Sequence, residues 1–522
     1  MRTYSFNIQP HEDIELGYLR NELDYYVTLP NEGINSETGL ILSIPGFGGI
    51  ANSEYYLEKL NPYLADKYNC IVVSLNYFGI FRGLEINLDE HFVINMEKVY
   101  GVSREYWNEI SSKNDFYLKV VQILESKGLN SLDPRCQALM VTAREEYQSF
   151  GFLPAIDCLT VLGDVLKKYP NINTRKIIAY GSSYGGYIAM LCGKYAPNTF
   201  SVVIDNSGFS LAEMKNIVGR EIFANDYVAN INWNNKNYSI PFAYNNPWTI
   251  LDETSPRYFG DANKLIRSLL VSEHRVKSDT RYYIFHCEED EIASVDDKDR
   301  LVALLSNYNY TYYKRITKDD IDGNLFKKYG HAMDASLRKL FDHVVELDKE
   351  NGLLKEKRTN DFLDNEGKSF NCGSKNYVFN FNENFTINAK IINNIKTDYK
   401  LISSFQVMSG ILDITHTMND GFDYVISKIS TGKYHEAIGV MQDILDAYSA
   451  IEQQVNKFEK NLPQNNIKTL NEELKTSLLE MIGYFESDSW KLVEDKLLKH
   501  VVPQFMLWKN ELNDIFSLYI AS

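Results

Sequence analysis

The sequence has no stretch approaching the ~18 continuous apolar residues of a membrane span. Its opening, MRTYSFNIQPHEDIELG, carries acids where a signal peptide needs an apolar run. Cysteine is scarce: there are six, and no two form a C-x-x-C pair, which excludes a disulfide-stapled scaffold and a zinc ribbon. With 29 glycines and 13 prolines in 522 residues, collagen-like and long-linker architectures are excluded. Positive charge is also short. Lys and Arg total 54 against 70 Asp and Glu, a net charge of −16, and no basic stripe appears, so nucleic acid and anionic membrane surfaces are poor partners. No metal-ligand spacing, Walker loop or dinucleotide fingerprint is present, and neither metal nor cofactor is expected. These absences predict a cytoplasmic, reduced protein of two or three domains.

What is present is an alternation of strands and helices. GLILSI at 39–44 and CIVVSL at 70–75 are short continuous apolar runs, typical of parallel strands buried on both faces. Residues 23–29 alternate and read as an edge strand. Further strands are expected at 176–180, 200–205, 281–286 and 310–316, with helices at 54–67, 154–169, 186–195, 296–306 and 333–347 between and after them. This rhythm predicts an α/β fold with a doubly wound, mostly parallel sheet over residues 1–350. Two excursions interrupt it. Residues 78–150 read as helical with no convincing strand, and residues 208–275 form a second insertion; the first is placed to cap an active site or to serve as an oligomer surface. Residues 351–399 read as a connector with a small hairpin. Residues 400–522 show apolar stripes at helical spacing, such as Ala437, Val440, Met441, Ile444, Leu445, Tyr448 and Ile451, and predict an all-α helical bundle that could dock a protein partner or a second copy.

The chemistry concentrates in Gly181-Ser182-Ser183-Tyr184-Gly185-Gly186, a G-x-S-x-G motif lying between a predicted strand and a predicted helix. That context puts Ser183 on a sharp strand-to-helix turn as a nucleophile. A serine nucleophile needs a base oriented by an acid. His331, in YGHAMD before a helix, is the expected base, ahead of His286, His343 and His274. The acid is expected just after the strand that ends at His286. Asp290 fits best there, with Glu289 and Glu288 as alternatives. Two backbone amides must face the oxyanion: that of Tyr184, and that of Phe47 in the loop IPGFGG, with Gly48 as its alternative. The segment NINWNNKNYSIPFAYNNPW at 230–248 mixes Trp, Tyr and Asn, so Trp233 and Tyr238, together with Gly48, are candidate substrate contacts.

Residues 1–350 resemble the α/β-hydrolase superfamily, and GSSYGG is similar to the serine motif of its prolyl oligopeptidase-like branch. More narrowly, GFLPAIDCLTVL, KIIAYGSSYGGYIAM, VVIDNSGF and IDGNLFKKYGHAMDAS resemble the bacterial family called domain of unknown function 2920, often associated with flagellin-glycosylation genes. FESDSWKLVEDKLLKHVVPQF resembles helical tails of flagellin-modification proteins. The resemblance gives Ser183, Asp290 and His331 the triad roles, and Cys287 replaces the glycine usual in the H-G-x-x-D turn. The expected function is a serine esterase, deacetylase or acyltransferase acting on an acyl ester, with an acylated surface sugar as the suggested substrate. The alternatives are a peptidase of the prolyl oligopeptidase-like type and a non-catalytic binding or assembly protein.

Overall fold

The structure, a computed structural model, describes the chain except residues 1, 81–83, 109, 111, 143, 145, 223, 351–359, 365–366, 395–399, 459–461, 463–464, 488 and 521–522. It divides into two compact units, Met1–Asn393 and Asn394–Ser522. The first is built on an eight-stranded sheet. Its strands are β1 (Arg2–Ile8), β2 (Leu23–Leu29), β3 (Gly39–Ile44), β4 (Cys70–Leu75), β5 (Ile177–Ser182), β6 (Val202–Asn206), β7 (Arg281–Cys287) and β8 (Thr311–Ile316), in the order β1-β2-β4-β3-β5-β6-β7-β8. β2 runs antiparallel to both β1 and β4, and every other pairing is parallel. This is the α/β-hydrolase architecture.

The interior strands are continuous apolar runs because helices cover both faces. β3, β4 and β7 are buried along their whole lengths. The covering helices are α1 (Asn61–Tyr68), α2 (Phe152–Lys168), α3 (Tyr184–Tyr195), α4 (Val295–Leu305) and α5 (Leu337–Glu350). The edge assignment needs correction. Residues 23–29 are not an edge strand, because Arg2–Ile8 pairs outside them in full register, with Phe6 stacked on Tyr25.

The two excursions fold together into one inserted subdomain, and the first contains strands that its sequence pattern hid. A four-stranded sheet pairs Leu84–Asn87 with Ala138–Thr142, and the latter in turn with Lys236–Tyr244 and its hairpin partner Tyr227–Trp233. Helices Glu90–Tyr100 and Lys113–Ser126 share its core, in which Phe92, Trp107, Phe116, Met140, Ile240 and Phe242 are buried. The two local strands are four and five residues long, and each is completed by a partner from elsewhere, so local periodicity does not reveal them.

Residues 367–393 form a three-stranded antiparallel sheet, Gly367–Cys372, Lys375–Phe381 and Ile387–Asn393. It packs on α2 and α3: Tyr377 lies against Phe152, and Phe379 stacks on Tyr195. The two helices are therefore covered on two sides, which is why they are apolar nearly all round. The second unit is helical: Lys400–Ser430, Tyr434–Phe458, Ile467–Glu486, Trp490–Lys496 and Val502–Ile520 share a core that includes Phe422, Met441, Tyr448, Leu478, Phe505 and Trp508. Among the described residues, no helix is long and apolar enough to cross a membrane.

One buried ion pair ties four segments of the first unit. The Arg267 guanidinium binds the Glu15 carboxylate and donates to the Ser149 and Asn263 carbonyls, while the Tyr377 hydroxyl donates to Glu15 at 3.0 Å. Removing one partner strands a buried charge. Arg267→Ala is expected to cost about 3–5 kcal/mol in urea unfolding. The paired change Glu15→Gln with Arg267→Met should cost less than Arg267→Ala alone.

Candidate active site

Ser183 sits between β5 and α3 with φ 56° and ψ −127°, a conformation that L residues avoid unless the surroundings impose it. Its amide donates to the Asn206 carbonyl at 2.7 Å, and its carbonyl accepts from the Tyr187 amide at 3.1 Å. The turn is possible only because two neighbours lack side chains. A Cβ on Gly181 would lie 2.2 Å from the Gly185 backbone, and one on Gly185 would lie 2.3 Å from the Ile44 carbonyl oxygen. The motif thus packs the Ser183 turn directly on the end of β3.

The serine hydroxyl lies 2.7 Å from His331 Nε2. On the other side of the ring, Nδ1 is 2.9 Å from both Asp290 carboxylate oxygens. Burial alone would raise the Asp290 pKa; its bonds to His331 and to the Ile292 and Ala293 amides outweigh this and hold the carboxyl below its ordinary value. An ionised Asp290 can only accept, so Nδ1 carries the proton, and Nε2 is left to accept from Ser183. The side chains of Ser183, His331 and Asp290, 41 to 148 residues apart in sequence, are brought together by hydrogen bonds on opposite nitrogens of one imidazole.

The other acidic candidates lie elsewhere. Glu288 accepts from the Tyr329 hydroxyl at 2.7 Å, and Glu289 is exposed near Lys318. Among the other histidines, His343 lies beside Phe285, and His274 is buried against the Asn371 carbonyl. His286 is fully buried and donates from Nε2 to the Ala293 carbonyl at 2.9 Å, which shapes the turn carrying Asp290. Burial first, and then the nearby Lys298 cation, push the His286 pKa down to about 4, so the ring is neutral. Lys298 is itself buried and paired with Asp205 at 2.6 Å.

The loop after β3 makes a tight turn, with the Gly49 amide bonded to the Gly46 carbonyl and Gly48 at φ 81°, which only glycine adopts readily. This sets Gly46 against the Ser183 turn, where a Cβ would lie 2.9 Å from the Ser182 carbonyl oxygen. Phe47 packs edge-on against the Tyr184 ring at 5.4 Å. The turn's own bond uses the Gly49 amide, and the Tyr184 amide begins α3, where no intrahelical acceptor exists. The Tyr184 side chain is buried, donating to Gln148 and accepting from the Gly151 amide.

The proposed substrate contacts fare differently. Tyr238 is buried in the core of the inserted subdomain, so its ring is committed to packing, contrary to expectation. Trp233 is exposed at the end of its hairpin strand, and Gly48 lies on the loop beside Ser183. Two residues near the site escaped sequence reasoning. Tyr244 sets its ring 6.0 Å from Phe47, and Asn206 donates to both Ser182 Oγ and the Ala332 carbonyl. The signal for Asn206 was its place at the carboxyl end of a central strand, where open α/β sheets gather their ligands. Among the described residues, no group of three or more His, Cys, Asp or Glu side chains could hold a metal.

The family model described as Protein of unknown function (DUF2920) matches residues 4–388, and one described as Domain of unknown function (DUF8042) matches residues 406–511. No curated protein matches the sequence. Solved structures similar to this chain include an acylaminoacyl peptidase from Pyrococcus horikoshii, at 14% identity and TM-score 0.37, covering 68% of this chain and 42% of that one. An arylesterase is 15% identical with TM-score 0.35, covering 66% and 82%. An S-formylglutathione hydrolase from Agrobacterium tumefaciens is 10% identical with TM-score 0.35, covering 67% and 94%. The chain spans less than half the length of the acylaminoacyl peptidase chains it matches.

The two buried neutral imidazoles set a pH window. His286, at about 4, and His274, pushed down to about 2 by burial and then by Lys194, both have ordinary values of 6.5. Unfolding lets each bind a proton below 6.5, so the contribution of these two rings to stability falls as pH drops from 6.5 toward 4, while Asp226, raised to about 7 by burial, contributes the opposite slope. Asp290, held low, adds a further loss only below the ordinary carboxylate range. Thermal unfolding between pH 7.5 and 4.5 should show a shallower decline in His286→Gln than in the wild type.

Proposed function

The chain belongs to the DUF2920 family, and we propose that it is a serine hydrolase or acyltransferase working through Ser183. The observation that carries this reading is the pair of short contacts on opposite nitrogens of one imidazole, Ser183 Oγ to Nε2 and Asp290 to Nδ1. In this reading His331 takes the Ser183 proton as Oγ attacks an acyl carbonyl, and Asp290 stabilises the imidazolium that forms. The tetrahedral oxyanion is held by the Tyr184 and Phe47 amides. His331 then returns the proton to the departing oxygen. Water, or an acceptor hydroxyl, repeats the sequence on the acyl-enzyme and releases the acyl group.

The proposed substrate class is an acyl ester. Apolar surface is at hand for an acyl chain: Phe209 packs 6.4 Å from His331, and Phe47 lies on the loop beside Ser183. An acylated surface sugar, as in flagellin modification, is the more specific version suggested by the family resemblance. It must be tested without Tyr238 as a sugar platform.

A fluorophosphonate probe tests the nucleophile. Wild type should label at one site, Ser183→Ala should not label, and His331→Ala should label at least about 100-fold more slowly. Equal labelling of wild type and Ser183→Ala, or none of folded wild type, would sink the reading. Turnover of p-nitrophenyl esters, acyl sugars and peptides by unlabelled wild type, once shown to accept the probe, then separates esterase, sugar deacylase and peptidase.

A further inference from the structure

We infer that Asn206 is a positioning residue that holds the His331 loop in register with the nucleophile turn. The inference rests on the Ser183–His331–Asp290 reading and adds a residue that acts on it without touching substrate.

Asn206 ends β6, between the strand carrying the nucleophile and the strand leading to the acid. It is fully buried and reaches both halves of the site. Its main-chain carbonyl accepts from the Ser183 amide at 2.7 Å. Its side-chain amide donates to Ser182 Oγ at 2.8 Å and to the Ala332 carbonyl at 3.2 Å. One residue therefore bonds to Ser182, to Ser183 and to the neighbour of His331.

The histidine loop needs such support. Ala332, Met333 and Asp334 all have left-handed backbones, with φ of 56°, 53° and 42°. None is glycine, and such a run persists only where surroundings over-determine it. The far side of the run is anchored by the Met333 carbonyl, which accepts from the Lys327 and Lys328 amides. The near side is held on both flanks of His331. The Gly330 amide donates to Cys287 Sγ at 3.2 Å, and the Ala332 carbonyl accepts from Asn206. The cysteine that replaces the usual glycine thus supplies an acceptor, and Asn206 supplies the matching donor. The place calls for a donor, which the amide nitrogen supplies to both acceptors. A carboxylate of the same shape would face the Ala332 carbonyl with no proton to give.

The catalytic consequence follows from distance. Ser183 Oγ and His331 Nε2 are carried on different segments and must stay near 2.7 Å. Displacing a reacting group by about 1 Å can cost 100-fold in rate. Loss of the Asn206 amide should lower nucleophile reactivity while leaving substrate contacts in place, so kcat falls with KM little changed.

The test is a double-mutant cycle on fluorophosphonate labelling, with a second readout from the imidazole itself. Asn206→Ala and Asn206→Asp should each slow labelling about 10–100-fold. In a His331→Ala background, Asn206→Ala should add less than about 2-fold, because the residue it positions is gone. The second readout is the downfield proton NMR signal of the His331 Nδ1–H, assigned by its loss in His331→Ala. It should shift or broaden in Asn206→Ala and persist in Asn61→Ala, a buried amide in α1 bonded to Ser74. Equal losses in both backgrounds, or an unchanged ring proton in Asn206→Ala, would overturn the inference. If the wild type does not label but the ring proton still moves in Asn206→Ala, the positioning role stands and the nucleophile reading falls.

Discussion

The site depends on one backbone constraint, the left-handed conformation of Ser183 at the end of β5. Such a residue costs about 1–3 kcal/mol and survives only where neighbours leave it no alternative. Here the neighbours are the body of the fold. Gly185 lies against the end of β3, Gly181 lies against Gly185, and the next strand bonds the serine amide. The same packing sets the loop after β3 beside the serine, so the conformation that exposes the hydroxyl also brings the Phe47 loop alongside. The Ser183 turn and the Phe47 loop beside it are two results of one close approach between a strand end and a helix start.

Behind this surface the charges are arranged with little slack. Lys298 and Asp205 are buried together, and Asp205 also accepts from the Gly208 amide. Their pairing limits the penalty that either charge would incur alone. The lysine also acts on its surroundings, since its charge, after burial, helps keep His286 neutral. A neutral His286 can donate to Ala293 and fold the acid turn without competing for the charge of Asp290. Of the two imidazoles beside Asp290, only that of His331 hydrogen-bonds its carboxylate, at 2.9 Å against 3.6 Å for His286.

Much of this was legible in the sequence where the signal was local. GSSYGG between a strand and a helix, the unbroken apolar strands, and YGHAMD before a helix each carry their meaning within a few residues. What was hidden depended on distant partners. The strands at 84–87 and 138–142 are short and take their hydrogen bonds from each other and from residues 242–244, so no periodicity marks them. Arg2–Ile8 was missed because an edge strand exposed on one side is mixed in character. Tyr238 looked like a binding residue because aromatic and Asn residues crowd its segment, yet alternation along the strand turns it inward. Asn206 was passed over for a different reason: an asparagine at a strand end is common, and this one differs in reaching Ser182 and Ala332, 150 residues apart in the chain.

The inserted subdomain has a consequence for how the chain is made. Its central pairing joins residues 138–140 to residues 242–244, and two strands of the main sheet, β5 and β6, are translated between them. A ribosome therefore releases the first half of this subdomain, with Phe92, Trp107 and Phe116 unburied by their later partners, well before the second half exists. The nascent chain must carry that apolar surface while the parallel core of the sheet is still incomplete, a slow step in a topology rich in long-range contacts. Chaperone dependence during biosynthesis, rather than fragility of the finished fold, is where this arrangement should be felt.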